Sequence, residues 1–163
     1  MSGISPGIGD GAAMNETFTT AAAADIDALV ALVQQFYAHE RIAFDEARVR
    51  AALAALIDAP ALGCVWLIGR GAAVVGYLVV TFGFSLEYGG RDAFIDELFL
   101  LEAERGQGLG SLALAFTADH CRAHGVRALH LEVDRLNTGA QRLYQRRGFS
   151  DHDRYLMTRP LGD

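Results

Sequence analysis

The stretch from Glu97 to Ser111 leaves this chain the least freedom. It starts as an alternating apolar and acidic strand (Glu97, Leu98, Phe99, Leu100, Leu101). It then passes through Glu102, Glu104 and Arg105 and closes on Gly106, Gly108 and Gly110. Leu112, Ala113, Leu114, Ala115 and Phe116 follow at once, a helix-forming run. A strand that feeds a helix through a glycine-rich turn aims backbone N–H groups at one place. Such a place binds anions, phosphates above all.

The flanking pattern supplies the rest of an α/β domain. Glu16–Ala21 reads as a short strand, and Asp25 stands at the N-cap position before Ile26, Leu29, Val30, Leu32, Val33, Phe36 and Tyr37, which recur at helical spacing. Asp45 repeats that cap ahead of Val49, Ala52, Leu53, Leu56 and Ile57, and Pro60 ends the second helix. Gly63–Gly69 and Val74–Phe84 read as a hairpin, with Ala93–Leu101 as the third strand of a meander. Leu109–His124 is an amphipathic helix stopped by Gly125, and Ala128–Asp134 is an alternating strand. Asn137 and Thr138 cap a helix through Arg147 to Gly148, and Phe149–Asp153 and Tyr155–Pro160 end the chain as strand-like segments. This order predicts one α/β (α+β-like) domain over residues 16–163, with a mixed sheet flanked by helices. Residues 1–15 read as a disordered leader, within which Met14 is an alternative start.

Charge narrows the partners. A formal net charge of −6 disfavours nucleic acid and anionic membrane surfaces and favours a cationic partner such as an amine. No apolar run approaches the ~18–20 residues that span a bilayer, so the expectation is a soluble, cytoplasmic protein. Cys64 and Cys121 sit in apolar contexts and are too few for a disulfide framework. All the basic residues are arginine, which with the heavy use of alanine points to a GC-rich bacterial coding sequence. The histidines His39, His120, His124, His130 and His152 show no ligand spacing, and no metal is expected.

Three ligands compete for Arg105–Ser111. A Walker loop fails for want of the four-residue spacing and of Gly-Lys-Ser/Thr. A dinucleotide fingerprint has Glu132 about 20 residues downstream to hold a ribose, but its third glycine comes one position early. A third pattern fits better. Arg105-x-x-Gly108-x-Gly110 after an acidic strand resembles the acyl-CoA loop of the GCN5-related N-acetyltransferases (GNAT). Asn137, Ala140, Leu143, Tyr144, Gly148 and Phe149 resemble that family's other signature. The resemblance covers the chain in element order from about Phe18 to Arg159, and at motif level from Leu98 to Phe149.

The resemblance implies a GNAT fold, with a mostly antiparallel central sheet, and acetyl-CoA as co-substrate. Leu98, Phe99 and Leu100 would offer strand-edge backbone to the pantetheine arm. Arg105, Gly106, Gln107, Gly108, Leu109, Gly110 and Ser111 would hold the pyrophosphate, and Asn137, Ala140 and Tyr144 would complete the donor site. Asn137 could equally be only a helix cap. Tyr144 is the implied acid for the departing thiolate, and Glu97 the base, acting through water. Glu87 competes for that role, as does water alone. Asp96 and Glu97 are adjacent and so point to opposite faces of their strand. The implied acceptor site gathers Phe36, Tyr37, His39, Glu40 and Phe44 with Phe84, Glu87, Tyr88 and Asp96; aromatic rings among carboxylates suit a cationic amine. The expected activity is direct acetyl transfer to a primary amine, of a small molecule or of a protein. The rivals are a non-catalytic acyl-CoA sensor and a dinucleotide oxidoreductase. A homodimer is possible.

Overall fold

The computed structural model describes residues 15–162, so almost all of the expected leader lies outside the described residues. Its elements in chain order are β1 (Glu16–Thr20), α1 (Ile26–Glu40), α2 (Glu46–Asp58), β2 (Gly63–Arg70), β3 (Ala73–Ser85), β4 (Gly90–Leu100), α3 (Leu109–Ala123), β5 (Ala128–Leu131) and α4 (Thr138–Arg146). The strands form one sheet in sequence order. β1 to β4 pair antiparallel, and β5 joins β4 in parallel. That is the mixed, mostly antiparallel sheet the sequence predicts.

Strand alternation splits the interior into two cores. Val65, Leu67, Tyr77, Val79 and Phe99 face α1 and α2, where they meet Leu29, Val30, Val33, Val49 and Leu53. Their neighbours Trp66, Ile68, Leu78 and Val80 face α3, where they meet Leu109, Ala113, Leu114 and Cys121. Leu29, Ile68, Leu78, Leu109 and Leu114 are shut off from solvent, each stabilising the fold by ~1.5–3 kcal/mol relative to exposure.

On β4 the alternation changes phase. Ala93 and Ile95 pack in the α3 core, yet Phe99, also odd-numbered, packs in the α1 core. The register explains this: Val79 pairs with Glu97 and Val80 with Ile95, leaving Asp96 as an extra residue in a β-bulge. The bulge carries Glu97 to the α1 face. Pairing of β4 with β5 ends at the same point, at Ile95 opposite Leu131. Beyond it the two strands part.

Four expectations need correction. Phe149–Asp153 and Tyr155–Pro160 carry no strand; the polar run Ser150–Arg154 offers no face to bury. β5 is shorter than Ala128–Asp134, because its only partner strand turns away at the bulge. Asp25 does stand at the N-cap position of α1, but its side chain makes no cap bond there; its carboxylate accepts the Ala22 N–H at 2.8 Å instead, which closes the 3-10 turn ahead of the helix. The two carboxylates do lie on successive residues, but the bulge, not simple alternation, sets where they point. Asp45, by contrast, caps α2 by accepting the Arg48 N–H at 3.1 Å.

Candidate active site

Where β4 and β5 part, they leave a cavity of about 160 Å³ lined by Phe36, Glu40, Ile95, Asp96, Glu97, Leu98, Leu131, Glu132, Val133, Asp134, Asn137 and Tyr144. Five of these twelve residues are acidic and none is basic. Its wall therefore carries a strongly negative potential, suited to a cation.

Glu97 is the most tightly held of these acids. Tyr37 in α1 donates to its Oε1 at 3.0 Å, and Tyr77 in β3 donates to its Oε2 at 2.6 Å. Burial raises its pKa above the usual glutamate range, with a smaller push from Asp96, while the two hydroxyl donors pull it down. The result is a carboxylate held in place but more basic than one in water. Both phenols stay protonated: burial and the Glu97 charge push Tyr37 up to about 12 and Tyr77 further up. Asp96 sits exposed at the bulge, and the protein around it still raises its carboxyl. Tyr144, on α4, lines the same cavity, its ring edge-on to Phe149 at 5.9 Å. Burial, then the charge of Glu40, raises its pKa, so it remains a neutral O–H donor through neutral pH.

The strand next to the cavity offers free backbone. Leu101 N–H donates to Val75 C=O at 2.9 Å, so by antiparallel alternation Phe99 and Glu97 also turn their backbone groups to β3. Leu98 and Leu100 turn theirs to the open side. Arg105 Nε donates to the Leu100 carbonyl at 2.9 Å, with its guanidinium over the Phe99 ring and 3.4 Å from His39 Nε2. Phe99 itself is buried, so of the expected donor strand Leu98 and the Leu100 N–H remain available.

The turn that follows is built by two glycines. Gly106 has φ +74° and Gly108 φ +86°, conformations an L side chain rarely adopts, and the space where a Cβ would stand is open at both. Gly108 is the N-cap of α3 without any side-chain cap. The first N–H groups of α3 thus meet an open surface, a cradle that fits an anion. Leu109 anchors the helix start from below, buried in the α3 core. Ser111 accepts from Arg147 Nε at 2.6 Å, which ties α4 to the first turn of α3. Gly110 lies within van der Waals reach of Leu143 Cδ2, so small size there lets α4 approach.

The structure thus brings Glu40, Asp96, Glu97, Leu98, Asn137 and Tyr144 to one cavity. Asn137 is the α4 cap, accepting the Ala140 N–H at 3.0 Å, which commits both groups to the fold. Tyr37 meets the cavity only through Glu97. Glu87 and Tyr88 lie on the β3–β4 turn and are not among the residues that line this cavity. Glu87 pairs with Arg154 at 3.5 Å, and Tyr88 packs on His130. Phe84 is an exposed residue on that same hairpin, Phe44 packs on the Tyr37 ring, and His39 sits beside Arg105. Sequence reasoning missed Tyr77, although a lone hydroxyl inside the apolar run Val74–Val80 is a signal that a buried partner must exist. It also gave no site role to Asp134, which only the parting of the strands brings to the cavity.

Residues 29–149 match the family model described as Acetyltransferase (GNAT) family. The chain belongs to this family. It is 37% identical over 75 residues to "Uncharacterized N-acetyltransferase YycN" of Bacillus subtilis (strain 168), a match that spans 46% of this chain and about half (47%) of that protein. Among solved structures it resembles the integron cassette protein HFX_CASS3 from the mobile metagenome of Cole Harbour Salt Marsh (38% identity, 90% of this chain and 91% of that one, TM-score 0.80). It shares its fold with a predicted acetyltransferase with acetyl-CoA from Clostridium acetobutylicum (16% identity, 89% and 96% covered, TM-score 0.75). Within the GNAT fold, the splayed strands and the glycine turn are the features that make a site. No helix among the described residues is long and apolar enough to cross a membrane.

Proposed function

We propose that this GNAT protein is an acetyl-CoA-dependent N-acetyltransferase acting on a primary amine, preferentially a small cationic one, by direct transfer within a ternary complex. The observation that carries the reading is the cavity at the parting of β4 and β5, which Glu97 and Tyr144 both line. The donor would lay its pantetheine along the free backbone of Leu98 and the Leu100 N–H and its pyrophosphate on the amides after Gly106 and Gly108.

In the reaction the amine nitrogen attacks the thioester carbonyl carbon and the C–S bond breaks. The amine gives up its proton to Glu97 through water, and the leaving thiolate takes a proton from the Tyr144 O–H. The raised pKa of Glu97 suits a base and the neutral phenol suits an acid. The five carboxylates favour a cationic acceptor by ion pairing. A reducing cytoplasm suits the free thiols of Cys64 and Cys121.

The test is a pair of measurements on the whole chain: titration with CoA, and free thiol release from acetyl-CoA with primary amines. Saturable binding with amine-dependent thiol release is expected. Binding without release to any amine would reduce the protein to an acyl-CoA-binding domain, and no binding would remove the donor assignment altogether.

A further inference from the structure

Arg70, the last residue of β2, has no place in the chemistry above, yet its side chain is only 8% exposed. Its NH1 donates to Glu104 Oε2 at 2.6 Å and to Gln107 Oε1 at 2.7 Å, and its NH2 lies 3.7 Å from Glu16 Oε1 on β1. Gln107 is gripped from the other side as well, since its Nε2 donates to the Ala103 carbonyl at 2.7 Å. The two partners of Arg70 NH1 flank the turn between β4 and α3. Glu104 ends the 3-10 turn Glu102–Glu104, and Gln107 stands between the two positive-φ glycines.

From this geometry we propose that Arg70 is the positioning residue for acyl-CoA binding, acting through Glu104 and Gln107 to hold the glycine turn in its anion-receiving shape. Gly106 and Gly108 have wide conformational freedom, and an unanchored turn would pay for ordering when the ligand arrives. A side chain fixed at both ends between them removes that freedom beforehand. Gln107 thus has its side-chain oxygen and one amide N–H engaged by protein, which fixes the backbone it presents between the two glycines. Arg70 also links the turn to the neighbouring strand, because Glu16 stands opposite it on β1 while Glu104 follows β4. The guanidinium matches this role where an ammonium would not, as it serves several acceptors from one planar group.

This inference rests on the proposed acyl-CoA site, and the experiment separates the two. CoA affinity is measured by calorimetry for the wild type, Arg70→Met, Arg70→Lys and Gln107→Ala, with steady-state kinetics alongside. If the wild type binds no CoA, the site assignment fails, and this proposal with it. With wild-type binding established, Arg70→Met is expected to raise the Kd of CoA and the KM for acetyl-CoA about tenfold while kcat holds within about twofold. Gln107→Ala, on an exposed residue that cannot unfold the domain, is expected to raise both by several-fold with no change in melting temperature. The double variant should lose less than the product of the single effects, because both act through one contact. Arg70→Lys, able to reach one acceptor at a time, should fall between wild type and Arg70→Met. Wild-type CoA affinity in Gln107→Ala, or a fall in kcat equal to the rise in KM, would overturn the positioning role.

Discussion

Two segments at the ends of one short stretch show how differently a site can be built. At Gly106–Gly110 the fold presents backbone: two left-handed glycines, an uncapped helix start and an open surface in front of them. Some ten residues earlier, at the Asp96 bulge, it presents side chains: Glu97 held by Tyr37, sixty positions away, and by Tyr77, twenty away. The first arrangement suits an anion and the second a cation. Backbone recognition depends on local φ and ψ, so it is tolerant of side chains and strict about glycine. Side-chain recognition depends on distant elements bringing particular groups together, so it is strict about which side chains stand there. The glycine turn is where the donor would be fixed and the bulge where the acceptor would be chosen.

The largest test of that division targets the chemistry between the two segments. Tyr144→Phe should lower kcat by about a hundredfold, the low end for a lost general acid, with the KM of acetyl-CoA little changed. Single-turnover thiol release measures this directly. An unaltered kcat would take Tyr144 out of the reaction.

Next comes the backbone end. Gly108→Ala places a Cβ at φ +86°, which costs ~1–2 kcal/mol in the left-handed region. The turn is expected to relax away from its present shape and CoA affinity to fall about tenfold, while the selectivity among amines stays as it was. A change in amine preference would mean that the two ends are not independent.

A smaller effect probes the side-chain end. Tyr77→Phe removes a hydroxyl that lowers the Glu97 pKa. Glu97 then becomes harder to ionise, so the pH at which activity falls on acidification should move upward. The wild-type limb already stands above the usual glutamate range because burial outweighs the two donors. The variant should lose activity several-fold at mildly acidic pH and much less at alkaline pH. A limb that stays put would deny Glu97 the role of base.

The same division explains what could be read from the chain alone. The glycine turn, the α3 start and the Asn137–Phe149 segment are local patterns, and they were legible because each feature fixes its own backbone: Gly108 for a left-handed N-cap, Asn137 for the α4 cap, Gly125 for the end of α3. The acidic wall was only partly legible. Asp96 and Glu97 advertise themselves as carboxylates, but nothing local says that β4 bulges, because Ile95 and Phe99 both look like ordinary core positions. The bulge is a disagreement in count between β3 and β4, visible only once the two are paired. That Glu87 and Tyr88 do not line this cavity was equally hidden, since a turn's distance from it depends on strand lengths. The terminal segments failed because Ser150–Arg154 carries no apolar alternation to bury.

The smallest expected effect is a control on the outer shell. Asp45→Ala removes the carboxylate that accepts the Arg48 N–H and should lower stability by ~1 kcal/mol, read as a shift in thermal midpoint. Neither CoA affinity nor amine preference should change, which would show that destabilising α2 alone does not reach the cavity.

In the proposed reaction the parted strands would select a cationic amine through their carboxylates while the turn holds the donor. The most direct measurement is kcat/KM for thiol release with three primary amines of similar size, carrying a second positive charge, no further charge or a negative charge, at low and high salt. The dicationic amine should be best by about tenfold or more, an advantage that shrinks as salt screens the wall and falls again in Glu40→Gln and Asp96→Asn. Equal rates for all three, or a preference for the anionic amine, would contradict it.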